Sequence, residues 1–357
     1  MSAISDPRPH RLGTHRVLEP AGALPQAAWK LDNTPIARDN EILCDVETLN
    51  VDSASFKQIA DHCERDAERI AAHIVGIVNE RGKQHNPVTG SGGMFIGSVA
   101  EVGRALRGKH QLEAGDRIAS LVSLSLTPLH VEEITRIDVA TGRVWIRGKA
   151  ILFESGIWAT LPSDIDENVA LAVLDVAGAP AQVKRLCKPG QTVVVIGAAG
   201  KSGMLSCAEA RRRVGPQGHV IGVVPHPESE SAQLLLSDHL VDTLVRADAR
   251  DALELSEKVA AVAPDLADVT INCVNVPATE MASILCTKEG GIVYFFSMST
   301  SFTAAALGAE GIGRDVTMII GNGYAKDHAA TALQTLRDHP HLHDYFNAKY
   351  AHKRNPS

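Results

Sequence analysis

The stretch Gly190-Gln-Thr-Val-Val-Val-Ile-Gly-Ala-Ala-Gly-Lys-Ser-Gly-Met204 decides the fold of this chain. Its apolar run, residues 192–196, predicts a buried strand, and the residues that follow Met204 predict a helix. The glycine-rich turn between them predicts a dinucleotide site, because the free N–H groups of a helix N-terminus bind a pyrophosphate. We expect the dinucleotide to contact six residues of the turn: Gly197, Ala198, Gly200, Lys201, Ser202 and Gly203. An ordinary strand–turn–helix crossover is the alternative interpretation.

Composition and charge narrow the class of protein. The chain has 357 residues, and its formal net charge of −7 gives no support for a nucleic-acid partner. Residues 1–10 lack the apolar core of a secretory signal, and no apolar run approaches the roughly 20 residues of a membrane span. The six cysteines are scattered without a Cys-x-x-Cys pair, which is typical of reduced thiols. We therefore expect a cytoplasmic protein with no membrane partner.

The pattern of elements changes near residue 165. Before it, a proline-bearing lead-in of about 40 residues precedes strand-rich segments, which predict a partly open β-barrel. After it, apolar strands alternate with helices and predict a six-stranded, doubly wound parallel sheet of the Rossmann type. These strands are expected at 192–196, 219–224, 240–245, 268–274, 291–296 and 316–321. We therefore predict one domain over residues 1–165, to which the segment of about 325–357 returns, and a nucleotide-binding domain over 166–324.

The order of these elements resembles the medium-chain dehydrogenase/reductase superfamily. The segments Asn40-Glu-Ile-Leu-Cys-Asp-Val-Glu47 and Phe56-Lys-Gln-Ile59 are similar to its opening strand and helix, and Leu112-Glu-Ala-Gly-Asp-Arg-Ile118 is similar to its glycine–aspartate turn. The resemblance covers roughly residues 38 to 340. It implies that the β-barrel is a GroES-like domain and that the second domain binds a nicotinamide cofactor.

Two further segments resemble one family more closely. They are Gly82-Lys-Gln-His-Asn-Pro-Val-Thr-Gly-Ser-Gly-Gly-Met-Phe-Ile-Gly97 and Leu124-Ser-Leu-Thr-Pro-Leu129. Both are similar to the L-erythro-3,5-diaminohexanoate dehydrogenases, the oxidative deaminases of lysine fermentation. The resemblance implies NAD-linked removal of the 3-amino group of this diamino acid, which yields 5-amino-3-oxohexanoate and ammonia.

The chain departs from the zinc-containing members of the superfamily. Those members place a Cys, a Gly-His-Glu segment and a second Cys around a catalytic metal, whereas this chain has Ser53-Ala-Ser55 and Gly90-Ser-Gly-Gly93 at the first two positions. The four-cysteine structural lobe is absent as well. Because a zinc site needs three or four convergent Cys, His or carboxylate ligands, we expect no metal.

The segment after the second strand of the nucleotide-binding domain indicates which dinucleotide to expect. An NAD site often has an acidic residue at this strand end, where this chain has Pro225 and His226. Glu228 follows, and it is either a ribose ligand or part of an exposed acidic loop. No Arg or Lys occurs from Gly218 to Val245, so a 2′-phosphate has no local clamp. We therefore predict NAD as the cofactor, with contacts at Pro225 and His226.

Polar residues that follow the later strands are further candidates for cofactor binding. Asn275 follows the fourth strand, Ser297 the fifth and Asn322 the sixth. Ligands of open α/β sheets bind at the carboxyl ends of the strands. We therefore expect all three side chains at the cofactor site.

Candidate catalytic residues cluster in the loop that begins at Gly82. Lys83, His85 and Asn86 lie among residues that cannot build a core, and proton-transfer groups of this kind suit oxidative deamination. The resemblance implies that this loop lines the substrate pocket. The alternative is an Asn86-Pro87 turn with exposed Lys83 and His85.

Three more side chains have two interpretations each. Asp52 is either a ligand for a substrate ammonium or the cap of the following helix. Thr127 either faces the pocket or ends a strand. Asp175 is on an otherwise apolar helix and belongs either to the site or to an ion pair.

Two other functions and an assembly follow from the same sequence. A zinc-independent quinone or enoyl reductase of the same superfamily is the second candidate, and a non-enzymatic nucleotide-binding protein is the third. The apolar fifth and sixth strands would leave an exposed sheet edge in a monomer. We therefore predict a homodimer whose other partner is its small diamino-acid substrate.

Overall fold

A computed structural model describes residues 9–351, apart from residues 89, 91, 110, 111, 140, 298 and 322 and the side chains of residues 53 and 54. The chain divides into two compact units between Leu161 and Pro162. Each unit has a sheet of its own.

The lead-in of the first unit is held by a buried cation. It contains a short antiparallel pair, β1 (Val17–Glu19) and β2 (Lys30–Leu31), and is otherwise irregular. Arg16 is buried, and its Nε and Nη2 donate to the Glu41 carboxylate at 2.9 and 2.7 Å. Burial alone would raise the pKa of Glu41, but hydrogen bonds from His15 and Arg16 lower it to about 2. This ion pair ties the lead-in to the first long strand.

The main sheet of the first unit is antiparallel, with the strand order β6-β7-β3-β4-β5-β8. Its strands are β3 (Glu41–Asn50), β4 (Met94–Val102), β5 (Arg117–Ser120), β6 (Leu129–Asp138), β7 (Arg143–Phe153) and β8 (Trp158–Thr160). The helices α1 (Ser53–His62) and α2 (Ala67–Arg81) lie between β3 and β4 in the chain. Apolar side chains of the sheet and of both helices form one core, which includes Ile42, Leu49, Ile59, Ile74 and Phe95. The predicted GroES-like fold is confirmed.

The sheet of the second unit is parallel, with the strand order β11-β10-β9-β12-β13-β14. Its strands are β9 (Thr192–Ile196), β10 (His219–Val224), β11 (Thr243–Arg246), β12 (Ala267–Asn272), β13 (Thr287–Phe295) and β14 (Thr317–Ile320). The helices α3 (Glu167–Leu174) and α4 (Gly178–Leu186) precede β9 in the chain. One helix follows each of the first five strands, in order α5 (Lys201–Val214), α6 (Glu230–Ser237), α7 (Ala252–Val262), α8 (Glu280–Leu285) and α9 (Phe302–Gly311). The predicted Rossmann fold is confirmed. Its strand order reverses between β9 and β12, where such sheets bind ligands at their carboxyl ends.

The C-terminal segment corrects the sequence prediction. Its helices, α10 (His328–Asp338) and α11 (Pro340–Tyr350), pack on α3, α4, α5 and α6 and so belong to the second unit. Leu336 and Phe346 are fully buried there, and Nε of Arg337 donates to the Asp164 carboxylate at 2.7 Å. The predicted return of residues 325–357 to the first domain is therefore wrong for the described part of the segment. The apolar face of α10 has its partners on the second unit.

The six cysteines are unpaired thiols, of which five are buried and one, Cys273, is partly buried. Burial raises the pKa of Cys44, Cys187 and Cys286 to about 12. These thiols are therefore core residues, as the sequence predicts. None of the helices in the described ranges combines the length and the apolar character that crossing a bilayer requires.

Candidate active site

The glycine-rich turn leaves the N-terminus of α5 without a side-chain cap. Gly197 directly follows β9 at a φ of 82°, a left-handed conformation that favours glycine, and its N–H donates to the Val223 carbonyl at 3.0 Å. Gly200 is the N-cap residue, and no side chain bonds to the first-turn N–H groups. These groups carry the positive end of the helix dipole. The turn therefore presents a site for an anion such as a pyrophosphate.

Gly203 brings α5 close to the turn. A Cβ atom at Gly203 would lie 2.1 Å from the Gly197 carbonyl oxygen and 2.7 Å from the Ala198 Cα, so no larger residue fits without a shift. The Ala198 side chain is itself fully buried. The Ser202 hydroxyl hydrogen-bonds the Cys273 thiol. Ala198 and Ser202 therefore offer a ligand their backbone groups more than their side chains.

A cavity of about 270 Å³ lies beside this turn in the second unit. Its walls are mostly apolar and include Gly197, Val223, Pro225, Val274 and Val276. Apolar walls at the carboxyl ends of β9, β10 and β12 suit a flat heteroaromatic ring. The predicted contact residue Pro225 lines this cavity.

Asp248 and Arg250 form the charged part of the cavity wall, and sequence reasoning missed both. Nε and Nη2 of Arg250 donate to the Asp248 carboxylate, the shortest contact being 2.6 Å, and so does the Arg250 backbone N–H at 2.9 Å. These bonds, the side-chain ones first, lower the pKa of Asp248 to about 2. The pair follows the third strand, whereas the expected signal lay after the second. Only the parallel pairing of β10 with β11 brings the two loops together.

The two charged or polar residues that follow Pro225, His226 and Glu228, contact each other and do not line the cavity. Nδ1 of His226 lies 3.3 Å from Glu228 Oε1, and both side chains are mostly exposed. A bond from its own backbone N–H and then one from His226 lower the pKa of Glu228. Neither residue is among those that line the cavity.

The loops after β12 and β13 are organised by a residue that the sequence did not single out. Asn272 is fully buried, and its Nδ2 donates to the Thr279 and Ser283 hydroxyls at 2.8 and 2.9 Å. Its carbonyl oxygen accepts a bond from the Ser297 N–H at 3.3 Å. The Ser299 hydroxyl donates to Oδ1 of the neighbouring Asn275 at 2.9 Å. Asn275 and Ser297 thus share the carboxyl edge of the sheet, whereas the third predicted residue, Asn322, lies outside the described residues.

Asp175 and Lys201 pair with each other. Nζ of Lys201 donates to the Asp175 carboxylate at 2.8 Å, and both side chains are partly exposed. Asp175 ends α3 and Lys201 begins α5. Of the two interpretations of Asp175, the structure therefore shows the ion pair.

In the first unit, the loop that begins at Gly82 packs against two other segments. A Cβ atom at Gly92 would lie 2.4 Å from the Gln84 carbonyl oxygen and 2.5 Å from the Ser125 N. At Gly93, which has a φ of 97°, a Cβ atom would lie 2.1 Å from the Asn50 carbonyl oxygen and 2.8 Å from the Asp52 N. The fold therefore brings together the predicted residues of this loop, the start of α1 and the segment before β6.

Three of the predicted residues are engaged within this cluster. Nδ2 of Asn86 donates to Gln58 Oε1 at 2.9 Å. Oδ1 of Asp52 accepts a bond from the Ser55 N–H at 3.3 Å, which is the contact of a helix cap. The Thr127 hydroxyl donates to the Ser123 carbonyl at 2.9 Å. These contacts fix the shape of the cluster.

Two buried cations flank the same cluster. Lys83 is fully buried, its Nζ donates to the Pro25 carbonyl at 2.8 Å, and burial followed by the charge of Arg81 lowers its pKa to about 8. Arg81 donates to the His85 carbonyl at 2.8 Å, and its guanidinium lies 4.0 Å from the centre of the Trp29 ring. The bonds of both cations go to carbonyl oxygens. Neither cation is exposed, contrary to the alternative interpretation of Lys83.

Gln84 and His85 complete the cluster. Gln84 is fully buried, and neither its Nε2 nor its Oε1 has a hydrogen-bond partner among the described residues. Nδ1 of His85 is also buried without a partner, and burial followed by the charges of Arg81 and Lys83 lowers the pKa of the imidazole to about 4. His85 is therefore neutral at pH 7. Sequence reasoning missed Gln84, because a polar amide in a loop carries no periodic signal.

No group of three or more His, Cys, Asp or Glu side chains in the described part of the chain is arranged to hold a metal ion.

Comparison with known sequences gives one consistent result. The model of the L-erythro-3,5-diaminohexanoate dehydrogenase N-terminal domain family matches residues 15–162. The L-erythro-3,5-diaminohexanoate dehydrogenase of Acetoanaerobium sticklandii is 55% identical over 341 residues, 95% of this chain and 98% of that protein. The enzyme of the same name from Fusobacterium nucleatum is 56% identical over 342 residues, with the same coverage.

Solved structures share the fold at much lower identity. The quinone oxidoreductase from Coxiella burnetii has a TM-score of 0.54 and 16% identity, and the match covers 85% of this chain and 81% of that one. A mycobacterial protein in complex with NADPH has a TM-score of 0.52 and 16% identity, with 88% and 83% covered. At these identities the likeness is one of fold.

Proposed function

Because this chain belongs to the L-erythro-3,5-diaminohexanoate dehydrogenase family, we propose that it catalyses the NAD-dependent oxidative deamination of L-erythro-3,5-diaminohexanoate. The products are 5-amino-3-oxohexanoate and ammonia, and the reaction belongs to lysine fermentation. The chain is a dehydrogenase, and thus an oxidoreductase. The observation that carries the proposal is identity of 55–56% along 95% of the chain.

The second unit fits a nicotinamide dinucleotide. The uncapped N-terminus of α5 suits the pyrophosphate, and the apolar cavity beside Pro225 suits the adenine ring. When bound, the nicotinamide supplies the hydride acceptor of the reaction. Asn272 holds the loops of Asn275 and Ser297, which are our candidates for further contacts.

The charges around the cavity favour NAD over NADP. Among the described residues that line the cavity, Arg250 is the only basic one, and its guanidinium is bonded to Asp248. An arginine that is paired in this way is less available to bind a 2′-phosphate, and the carboxylate repels that group. Asp248 is also our candidate acceptor for the ribose hydroxyls in place of Glu228, which is not among the residues that line the cavity.

The first unit is our candidate for substrate recognition. The substrate has one carboxylate and two amino groups, so its site needs both a carboxylate and positive or amide groups. Asp52 is our candidate for the ammonium that does not react, because it belongs to the same cluster as the segment 83–86. The segment 83–86, flanked by the charge of Arg81, is our candidate for the carboxylate end.

An assay of the purified chain tests the proposal. We expect formation of reduced cofactor with L-erythro-3,5-diaminohexanoate and NAD, and little with alcohols. Consumption of NADPH with quinones or enoyl thioesters, without any deamination, would instead support the reductase function.

A further inference from the structure

Gln84 is a buried amide with unsatisfied hydrogen-bonding capacity. Its side chain has no exposed surface, and both polar atoms lack a hydrogen-bond partner in the part of the chain that the structure describes. Leaving a buried donor or acceptor unpaired destabilises the folded chain, and the large majority of buried side-chain polar atoms in folded proteins have a partner. The unpaired amide of Gln84 therefore indicates a role in binding a ligand and not in stabilising the fold.

The surroundings of Gln84 favour an anion. Arg81 and Lys83 are cations of the same segment, and they bond to the carbonyl oxygens of Trp29, Pro25 and His85. Neither forms an ion pair with a carboxylate among the described residues, although the charge of Glu80 acts on Arg81 from nearby. Their two positive charges are at most partly compensated beside the amide, and this attracts a carboxylate and disfavours an ammonium.

We propose that Gln84 binds the β-amino acid end of the substrate, with its Nε2 donating to the carboxylate and its Oε1 accepting from the 3-amino group. His85 is a second group for the carboxylate, since its Nδ1 is buried and unpartnered as well. The inference rests on the proposed function and assigns a residue that recognises the substrate.

The geometry of a β-amino acid suits this assignment. Its amine and its carboxylate lie on neighbouring arms of one short carbon chain, and an amide offers a donor and an acceptor side by side. One side chain thus contacts both groups and leaves none of its own polar atoms unpaired. The charges of Arg81 and Lys83 also favour the neutral form of the 3-amino group, and the carbon that carries the amine gives up its hydride in that form.

The variant Gln84→Met tests the assignment, because it keeps the size of the side chain and removes both polar atoms. We expect the midpoint of urea unfolding to stay the same or rise, since an unpaired amide has been removed. We expect kcat/KM for the diamino acid to fall by at least about 10-fold. The Kd for NAD, measured by calorimetry, should stay unchanged.

A structural role for Gln84 predicts the opposite set of results. Gln84→Met would then lower the unfolding midpoint and leave kcat/KM of the folded enzyme near its original value, and this outcome would overturn the proposal. The variant Gln84→Glu gives a second test, because Arg81 and Lys83 compensate its charge in the fold while the substrate carboxylate is repelled. A folded Gln84→Glu enzyme with unchanged kcat/KM would also overturn it.

The failure of the proposed function gives a different pattern. An original enzyme that deaminates no diamino acid refutes the function, whatever the variants do. In that case two measurements still test the role of Gln84. They are the stability of Gln84→Met and the binding of 3-aminobutanoate to the original chain, followed by calorimetry. Tight binding that the variant loses would support a β-amino acid site, and absence of binding would overturn it.

Discussion

At the scale of single residues, the neutral state of His85 links the site to stability. The pKa of this imidazole is about 4, below its ordinary value of 6.5, because of burial and the charges of Arg81 and Lys83. The unfolded chain therefore takes up a proton near pH 6.5 that the folded chain takes up only near pH 4. The contribution of neutral His85 to stability is complete above pH 6.5 and is lost as the pH falls toward 4.

We expect the variant His85→Gln to lose less stability than the original chain between pH 7 and pH 5. The expected difference is on the order of 1 kcal/mol, reduced from the full shift because the ring is partly exposed. Urea unfolding at the two pH values measures it. His328 and His339 also have lowered pKa values and act in both proteins, so the comparison isolates His85. Equal losses in the two proteins would contradict the prediction.

Asp248 decides the choice of cofactor in our proposal. The variant Asp248→Asn keeps the size of the side chain but removes the charge that pairs with Arg250. We expect the Kd for NADP to fall relative to that for NAD by at least about 10-fold, since a freed arginine binds phosphate strongly. Calorimetry with both dinucleotides measures the ratio. The double variant with Arg250→Gln is the control and should lose the gain.

At the scale of elements, two glycines at the start of α5 have separable roles. A Cβ at Gly203 would meet the Gly197 carbonyl oxygen at 2.1 Å, whereas a Cβ at Gly200 has nothing nearer than 3.5 Å. We expect Gly203→Ala to lower the free energy of unfolding by about 1–3 kcal/mol, because backbone must move. Gly200→Val should fold normally but lose NAD binding, because the branched side chain blocks the approach of the pyrophosphate. Thermal unfolding and calorimetry distinguish the two, and equal stability of both variants would contradict this division.

At the scale of the whole molecule, the second unit has an apolar sheet edge. The strand β14 is at the end of the sheet order, and its Ile320 is 63% exposed. On α9, Phe302 and Leu307 are exposed to a similar extent. Edges and apolar patches of this kind are normally covered, so we expect a homodimer through this edge.

Light scattering at micromolar concentration measures the mass. We expect that of a dimer, and we expect Ile320→Lys to shift it toward the monomer. Leu253→Lys is the matched control, because Leu253 is exposed to a similar extent on α7, away from β14 and α9, and its substitution should leave the mass unchanged. A monomeric mass for the original chain would refute the assembly.

The sequence by itself determined the elements and the glycine turn. A strand such as 192–196 is apolar throughout because both of its faces are buried, and the turn from Gly197 to Gly203 depends on local backbone freedom. Such signals lie within a few neighbouring residues, so they can be read without the fold. The resemblance to one dehydrogenase family likewise rested on short contiguous segments.

Only the tertiary structure decided which side chains have partners. Arg250 pairs with Asp248, Lys83 bonds to the distant Pro25, and Gln84 has no hydrogen-bond partner within the described ranges. The sequence also did not show that the last helices pack on the second unit, because an amphipathic helix does not specify what covers its apolar face. Hydrogen bonding and burial depend on residues that are distant in sequence, and only the folded chain brings those residues together.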